Sequence, residues 1–305
     1  MAKNLRLRIA DIVFSIRFPA DLNNVFLDAN YLSFISKEKA SFSLIVKTGH
    51  PYSASFLGPP RGASRFVTPT WDYWKSGGRY VFRFFSFQSS KPFERILFLK
   101  SDKSGEIFIP QVKKLSRNPF SYPLDEILTI TLLAAQCGSL IHSCGIRYKD
   151  KGYLFIGSSG AGKSTLSLLL KDNALPLRKG RDIPWDKATI DILSDDRVIA
   201  KKKDKQFHIY GTPWSGTAGL TSHQAAPLSI LFFLKKDKKN SLHRLSYGDT
   251  ASRLIKYSFL PFWDRERLNS CLAVSQAMAE AIPAFEFSFT PDNKAVDLLS
   301  KEILT

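Results

Sequence analysis

Apolar residues fall in short, strand-sized runs before about residue 120, and in alternating strand-like and helix-like segments after it. Leu5 to Phe18 is rich in Leu, Ile, Val and Phe. Ser41–Lys47, Tyr80–Gln88, Arg95–Leu99 and Glu106–Ile109 are further short β-prone runs. Gly58-Pro59-Pro60-Arg61-Gly62 and Lys75-Ser76-Gly77-Gly78 punctuate them. The pattern predicts a mostly antiparallel β region over residues 1–120, without repeats, that recognises a substrate or buttresses a core. The turn-rich Asn118-Pro119-Phe120-Ser121-Tyr122-Pro123 marks a boundary, and residues 121–305 form the second domain.

That second region reads as α/β. Ser121 can cap, and Pro123 open, a helix running to about Gln136, with Asp125 and Glu126 in the first turn, where negative charge suits the helix dipole. A short strand follows, Gly138–Ile146, carrying His142, and the turn Lys149-Asp150-Lys151-Gly152 leads into the β-prone Tyr153-Leu154-Phe155-Ile156. Beyond residue 165 the pattern predicts a helix through Leu170 and an irregular basic flap over Ala174–Lys187. A strand over Ala188–Leu193 and a charged hairpin over Val198–Tyr210 come next. Pro227–Leu234 is a continuous apolar run, as in a strand buried on both faces. Helices over Asp249–Tyr257 and Asp264–Ala281, a strand over Ala284–Phe289 and a helix capped by Thr290-Pro291-Asp292 complete the chain.

Between the strand at Tyr153–Ile156 and the helix after it lies Gly157-Ser158-Ser159-Gly160-Ala161-Gly162-Lys163-Ser164-Thr165, which fits the phosphate-binding pattern G-x-x-x-x-G-K-[ST]. Glycines let successive backbone N–H groups converge on one anion, and the helix N-terminus adds a positive end. Lys163 supplies a point charge for the β- and γ-phosphates of ATP, and the Ser164 hydroxyl suits Mg²⁺. Strand, loop and helix in this order are the context the motif requires.

Asp195 and Asp196 close the strand downstream of that loop. Carboxylates at such a place hold Mg²⁺ or take a proton, and one can face the metal while the other meets a different group if the strand end bends. Trp214, within Gly211-Thr212-Pro213-Trp214-Ser215-Gly216, either stacks on a ligand or plugs the core. Arg197, Arg244 and Arg253 are equal candidates for a positive charge on a transferring phosphoryl group.

Charge adds little to this picture. A net charge of +17 favours acidic partners, but the lysines are dispersed, with short clusters at Lys201–Lys203 and Lys235–Lys239 and no nucleic-acid-binding motif beside them. Nucleic acid is a possible but not a favoured partner. Cys137, Cys144 and Cys271 have neither metal spacing nor the number for a disulfide framework. With no signal-like N-terminus and no apolar stretch of bilayer length, the expectation is a soluble, cytoplasmic protein without a membrane partner.

Residues 124–200 resemble the HPr serine kinase/phosphorylase family, whose nucleotide-binding core is shared with phosphoenolpyruvate carboxykinases. Ile141-His142-Ser143, then Leu154–Ser164, then Leu193-Ser194-Asp195-Asp196-Arg197-Val198 carry the likeness in the family's order. Tyr210-Gly211-Thr212-Pro213-Trp214 and Phe262-Trp263-Asp264 look more like the wider set of HPr-kinase-like proteins, including kinases of peptide-modification clusters. The resemblance implies a P-loop core with a mixed sheet and flanking helices, and ATP- and Mg²⁺-dependent phosphorylation of a hydroxyl, most often a serine. It implies Asp195 as base, Asp196 with Ser164 on Mg²⁺, and His142 contacting phosphate or orienting an aspartate; the order of the two aspartates stays open. Thr165 stands where the bifunctional enzymes have an acidic residue, and Tyr210 where they have an arginine, so neither phosphorylase activity nor the HPr substrate carries over. Alternatives of other classes are an ATP-gated binding switch for nucleic acid or protein, and a small-molecule kinase. An oligomer is compatible with either.

Overall fold

The computed structural model describes residues 4–20, 22, 26–49, 59, 65–76, 79–85, 95–110, 118–173 and 190–304. They form a mixed α/β fold with two mixed sheets, and divide into two compact units: Met1–Leu132 with Phe262–Asp264, and Leu133–Pro261 with Arg265–Thr305. The predicted flap at 174–187, most of the Gly58–Gly62 stretch and Gly77-Gly78 lie outside the described residues.

The first unit is built on β1 (Asn4–Ile9), β2 (Ile12–Arg17), β3 (Phe42–Thr48), β4 (Arg65–Val67), β5 (Trp71–Ser76), β6 (Arg79–Phe84), β7 (Arg95–Ser101) and β8 (Ser104–Ile109). Their order in the sheet is β1-β2-β3-β8-β7-β6-β5-β4. The expected antiparallel pairing holds except at β2–β3 and β3–β8, which are parallel. Parallel neighbours need long crossovers. One carries a 3₁₀ helix at Ala29–Phe34, and the other spans β4 to β7. The Leu5–Phe18 run is a hairpin rather than one strand, turning at Ala10 and Asp11 with Ala10 at φ 52°. No Asn-Gly or Asp-Gly pair announces that turn in the sequence.

Strand β5 was not legible because Asp72 interrupts its aromatics. The register sets Asp72 opposite Val67 and Arg83, and its fully buried carboxylate accepts from Arg65 and from Arg83 Nη2 (2.6 Å). Ion pairing with both flanking strands satisfies a charge that would otherwise be costly to bury. Lys47 Nζ and Lys100 Nζ likewise meet Glu106 Oε1 at 2.7 and 2.8 Å.

Helix α1 (Leu124–Ala134) follows the turn at 118–123. Ser121 Oγ donates to the Asn118 carbonyl (2.7 Å) instead of capping the helix. Asp125 and Glu126 stand in the first turn, as expected, but are buried, and the Tyr31 hydroxyl donates to Asp125.

The second unit contains β9 (Gly138–Tyr148), β10 (Lys151–Ile156), α2 (Lys163–Asn173), β11 (Ile190–Ser194), β12 (Arg197–Lys203), β13 (Gln206–Tyr210), β14 (Ala225–Lys236) and β15 (Ser241–Arg244). It ends with α3 (Tyr247–Tyr257), α4 (Arg265–Ala281), β16 (Ala284–Phe289) and α5 (Asn293–Leu304). Two long strands change partners along their length. β9 pairs β12 through its first half and β10 and β11 through its second, and β14 passes from β13 to β10 and β16. The strands β10, β9, β12, β13 and β14 therefore close into a ring. Glycines make the closure possible: a Cβ on Gly152 would lie 2.7 Å from Ile209 Cγ1, and one on Gly145 2.9 Å from Val198 Cγ2.

Alternation along the central strands feeds two cores. Leu154, Ile156, Leu231 and Phe233 face a core shared with α3 and α4. Phe155, Phe232, Phe287 and Phe289 face one shared with α2 and α5, where the Phe155 and Phe232 rings stack at 5.1 Å. Each fully buried side chain of this size contributes about 1.5–3 kcal/mol. Parallel β10, β14 and β16 buried on both faces explain the unbroken apolar run at 227–234.

Candidate functional site

At the C-terminal end of β10 the chain turns through Gly157–Gly162 into α2. Gly160 and Gly162 take φ of 78° and 103°, and a Cβ on Gly162 would come within 2.7 Å of the Phe289 ring. Only glycine fits that conformation and contact without strain. Lys163 folds back over the loop, its Nζ donating to the Gly157 and Ser158 carbonyls at 3.0 Å each. Burial holds the Lys163 ammonium below the ordinary lysine value, and the opposing pull of Asp196, Cys144 and Asp195 does not restore it. The first amides of α2 have no intrahelical acceptor. Ser158, Ser159, Gly160 and Thr165 are exposed, and Ala161 is buried against the core of α2.

Asp195 and Asp196 form a bend between β11 and β12, which pair with consecutive stretches of β9. Ser194 shapes the bend: its Oγ accepts from the Asp196 N–H (3.3 Å) and the Arg197 N–H (3.2 Å). Because the bend breaks the strand, the two carboxylates enter different surroundings. Asp195 is fully buried. Its Oδ1 accepts from the N–H groups of Gly216 (2.9 Å) and Leu220 (3.3 Å), and its Oδ2 from the Ala218 N–H (2.8 Å) and Ser164 Oγ (3.3 Å). It thus ties the 214–221 loop to the glycine-rich loop at 157–165. Gly216 has no room for a side chain, since its Cβ would lie 2.8 Å from Asp195 Oδ2.

Asp196 keeps about a fifth of its side chain exposed. The β9–β12 register places His142 opposite Arg197, and His142 Nε2 lies 3.0 Å from Asp196 Oδ1. Arg197 Nη1 donates to Asp196 Oδ2 at 2.6 Å. The hydrogen bond from His142, then the charges of Arg197 and Lys163, hold the Asp196 carboxyl below the ordinary carboxylate range despite its burial. The Arg197 guanidinium lies over the Phe259 ring, 5.3 Å from its centre, and the His142 ring is 6.1 Å from the same ring.

The loop at 157–165, His142, Asp195 and Asp196 therefore gather at one end of the parallel strands. Trp214 is 5% exposed and packs as a core residue, which resolves its two alternatives. The clamp of Asp195 on the amides of 216–220 was not readable, because backbone acceptors leave no residue-type signal; the Gly and Ser content of Trp214–Ser222 was its one trace. Phe259 gave no signal. A cavity of about 670 Å³ lined by Arg244, Tyr247, Glu280 and Pro283 opens at the start of β16, whereas the glycine-rich loop meets that strand's other end at Phe289. No helix of the described residues is long and apolar enough to cross a membrane.

The fold and site together define a mixed α/β protein with a glycine-rich loop beside a carboxylate pair. No family model matches the chain, and no curated protein matches it. Among solved structures it is similar to the Hpr(Ser) kinase/phosphatase from Coxiella burnetii, at 14% identity and a TM-score of 0.31, over 54% of this chain and 87% of that one. A likeness this weak carries no argument about activity, and the site's own geometry is what bears on function.

Proposed function

We propose that the protein is an ATP-dependent phosphotransferase acting on a hydroxyl group, with serine of a protein or peptide as the favoured acceptor. The observation that carries this reading is the joining of the phosphate loop, through Ser164 and Asp195, to the accessible Asp196–His142 pair. A loop that only bound nucleotide would need no such pair.

The residues suit the groups this reaction needs. The glycine cradle, the α2 amides and Lys163 fit the β- and γ-phosphates of ATP. Ser164 and Asp195 would hold Mg²⁺, an ion usually bound through one or two carboxylates together with substrate phosphates and water. When bound, Mg²⁺ neutralises charge on those phosphates.

The roles of the two aspartates follow from their partners. Asp195 has both oxygens engaged inside the protein, so it serves the metal side and the loop. Asp196 is the carboxylate an acceptor can reach, and we assign it, with His142, to orient the acceptor hydroxyl and take its proton. This reverses the order the family resemblance implies. A strongly paired carboxylate is a weak base, but phosphoryl transfer proceeds through a loose transition state that asks mainly for positioning. The acceptor oxygen forms a bond to the γ-phosphorus as the bond from that phosphorus to the β,γ-bridging oxygen breaks. ADP departs, and the hydroxyl proton passes to the Asp196–His142 pair.

The test is incubation with γ-labelled ATP, Mg²⁺ and a lysate of the source organism, with Lys163→Ala in parallel. Label in one protein, peptide or metabolite fraction, absent with the variant, supports the reading. Label that stays in ATP, or appears only as free phosphate, overturns it in favour of a nucleotide-gated switch.

A further inference from the structure

Three arginines were equal candidates for contacting a transferring phosphoryl group, and their surroundings now separate them. Arg253 lies on α3, its Nη2 2.8 Å from Glu286 Oε2 and its guanidinium over Phe233. Arg244 is exposed on β15 and borders the cavity at the start of β16. Arg197 alone of the three stands within the site. It follows the carboxylate pair directly, and its side chain shares Asp196 with His142.

Its backbone is fixed on three sides. The N–H donates to Ser194 Oγ at 3.2 Å, the carbonyl accepts from Thr212 Oγ1 at 2.6 Å, and the strand register pairs it with His142. The guanidinium carbon lies over the Phe259 ring, 5.3 Å from its centre, within reach of a cation–π contact. About a fifth of the side chain remains accessible. Through Asp196 the guanidinium stands at the carboxylate pair, whose other member, Asp195, accepts from Ser164 Oγ of the glycine loop at 3.3 Å. A migrating phosphoryl group, with negative charge spread over three oxygens, is stabilised by a cation placed at the carboxylate pair in this way. A planar guanidinium also presents its N–H groups in a fixed fork that matches phosphoryl oxygens, which an ammonium cannot do.

We propose that Arg197 is a catalytic residue that contacts the γ-phosphoryl group during transfer, while Lys163 serves the bound nucleotide before and after it. This rests on the phosphotransferase reading above. Asp196 then has a second task, holding the guanidinium in place until the phosphoryl group arrives.

The experiment measures equilibrium affinity for ADP and for ADP with aluminium fluoride, a mimic of the transferring phosphoryl group, both with Mg²⁺. The proteins are the full-length wild type, Arg197→Met and Arg197→Lys, each checked for an unchanged circular-dichroism melt. Arg197→Met keeps an apolar stem against Phe259. The expected result is an ADP affinity within about twofold of wild type, with binding of ADP–aluminium fluoride weakened about 10²-fold. Arg197→Lys should recover only part of the loss. Repeating Arg197→Met in an Asp196→Asn background should leave most of its effect in place. An equal loss for both ligands, no loss for either, or an effect that vanishes in the Asp196→Asn background would overturn the assignment while leaving the kinase reading standing. A wild-type protein that binds neither ligand would overturn both.

Discussion

Replacing Asp195 with Asn tests the site's internal wiring, because the change is isosteric and its cost can be worked from the hydrogen bonds. The carboxylate accepts three backbone N–H groups, from Gly216, Ala218 and Leu220, while fully buried. An amide keeps one acceptor oxygen. With that oxygen at the Oδ1 position, the bonds to Gly216 and Leu220 survive without a charge, a loss of about 1 kcal/mol each. The amide nitrogen then faces the Ala218 N–H donor to donor, which leaves that group without an acceptor at a cost of about 1–3 kcal/mol. Flipping the amide strands two donors instead of one and is worse. The expected destabilisation is therefore about 3–5 kcal/mol, or a melting temperature lower by roughly 10 °C for the unit that contains the site. Thermal unfolding by circular dichroism gives the magnitude. Amide hydrogen exchange locates it, as lost protection at Gly216, Ala218 and Leu220. A variant that melts like the wild type with those amides still protected would refute the claim that Asp195 pins the 214–221 loop.

Other outcomes follow from the same structure. Of the three thiols, Cys137 is exposed, whereas Cys144 and Cys271 are buried, and burial pushes the Cys271 thiol up to about 11 and Cys144 higher still. A thiol reagent on the native protein should label Cys137 alone, and all three only after denaturation; native labelling of Cys144 would contradict the packing of the second unit. Gly162→Ala forces a Cβ against Phe289 at a φ of 103°, and should abolish nucleotide binding by calorimetry while most of the circular-dichroism signal persists. In the first unit, burial raises the Glu106 carboxyl, but Lys100 and Lys47 outweigh it and hold it below its ordinary 4.5. A depressed acid stabilises the fold above its unfolded value and loses that contribution as pH falls through the folded one. Stability of the first unit should therefore decline below about pH 4.5, and more gently in Glu106→Gln; identical pH profiles in urea melts would contradict it.

Much of the second unit was legible because its signals are local. The strand at 153–156, the glycine loop and the helix after it follow from adjacent residues, as do the hairpin at 198–210 and the doubly buried run at 227–234. What escaped depends on partners distant in sequence. Strand β5 went unpredicted, and its buried Asp72 makes sense only with Arg65 and Arg83 of the neighbouring strands set beside it. Asp125 and Glu126 look like helix-dipole charges until Tyr31, 94 residues away, is seen to bond Asp125. The hairpin at Ala10 uses a residue without the usual turn chemistry. At the site the composition announced two adjacent aspartates, but only the bend made by Ser194 shows that one turns inward to backbone amides and the other outward to His142 and Arg197.

The central claim is that residues 157–165 hold the phosphates of ATP beside Asp196. Calorimetric titration of Mg²⁺–ATP into the wild-type protein and Lys163→Ala tests it most directly. The account predicts saturable one-site binding that ADP competes away, weakened about 10–100-fold in the variant, the loss expected for one charged hydrogen-bonding partner of a phosphate. Absence of binding to the wild type, or equal binding to both proteins, would contradict it.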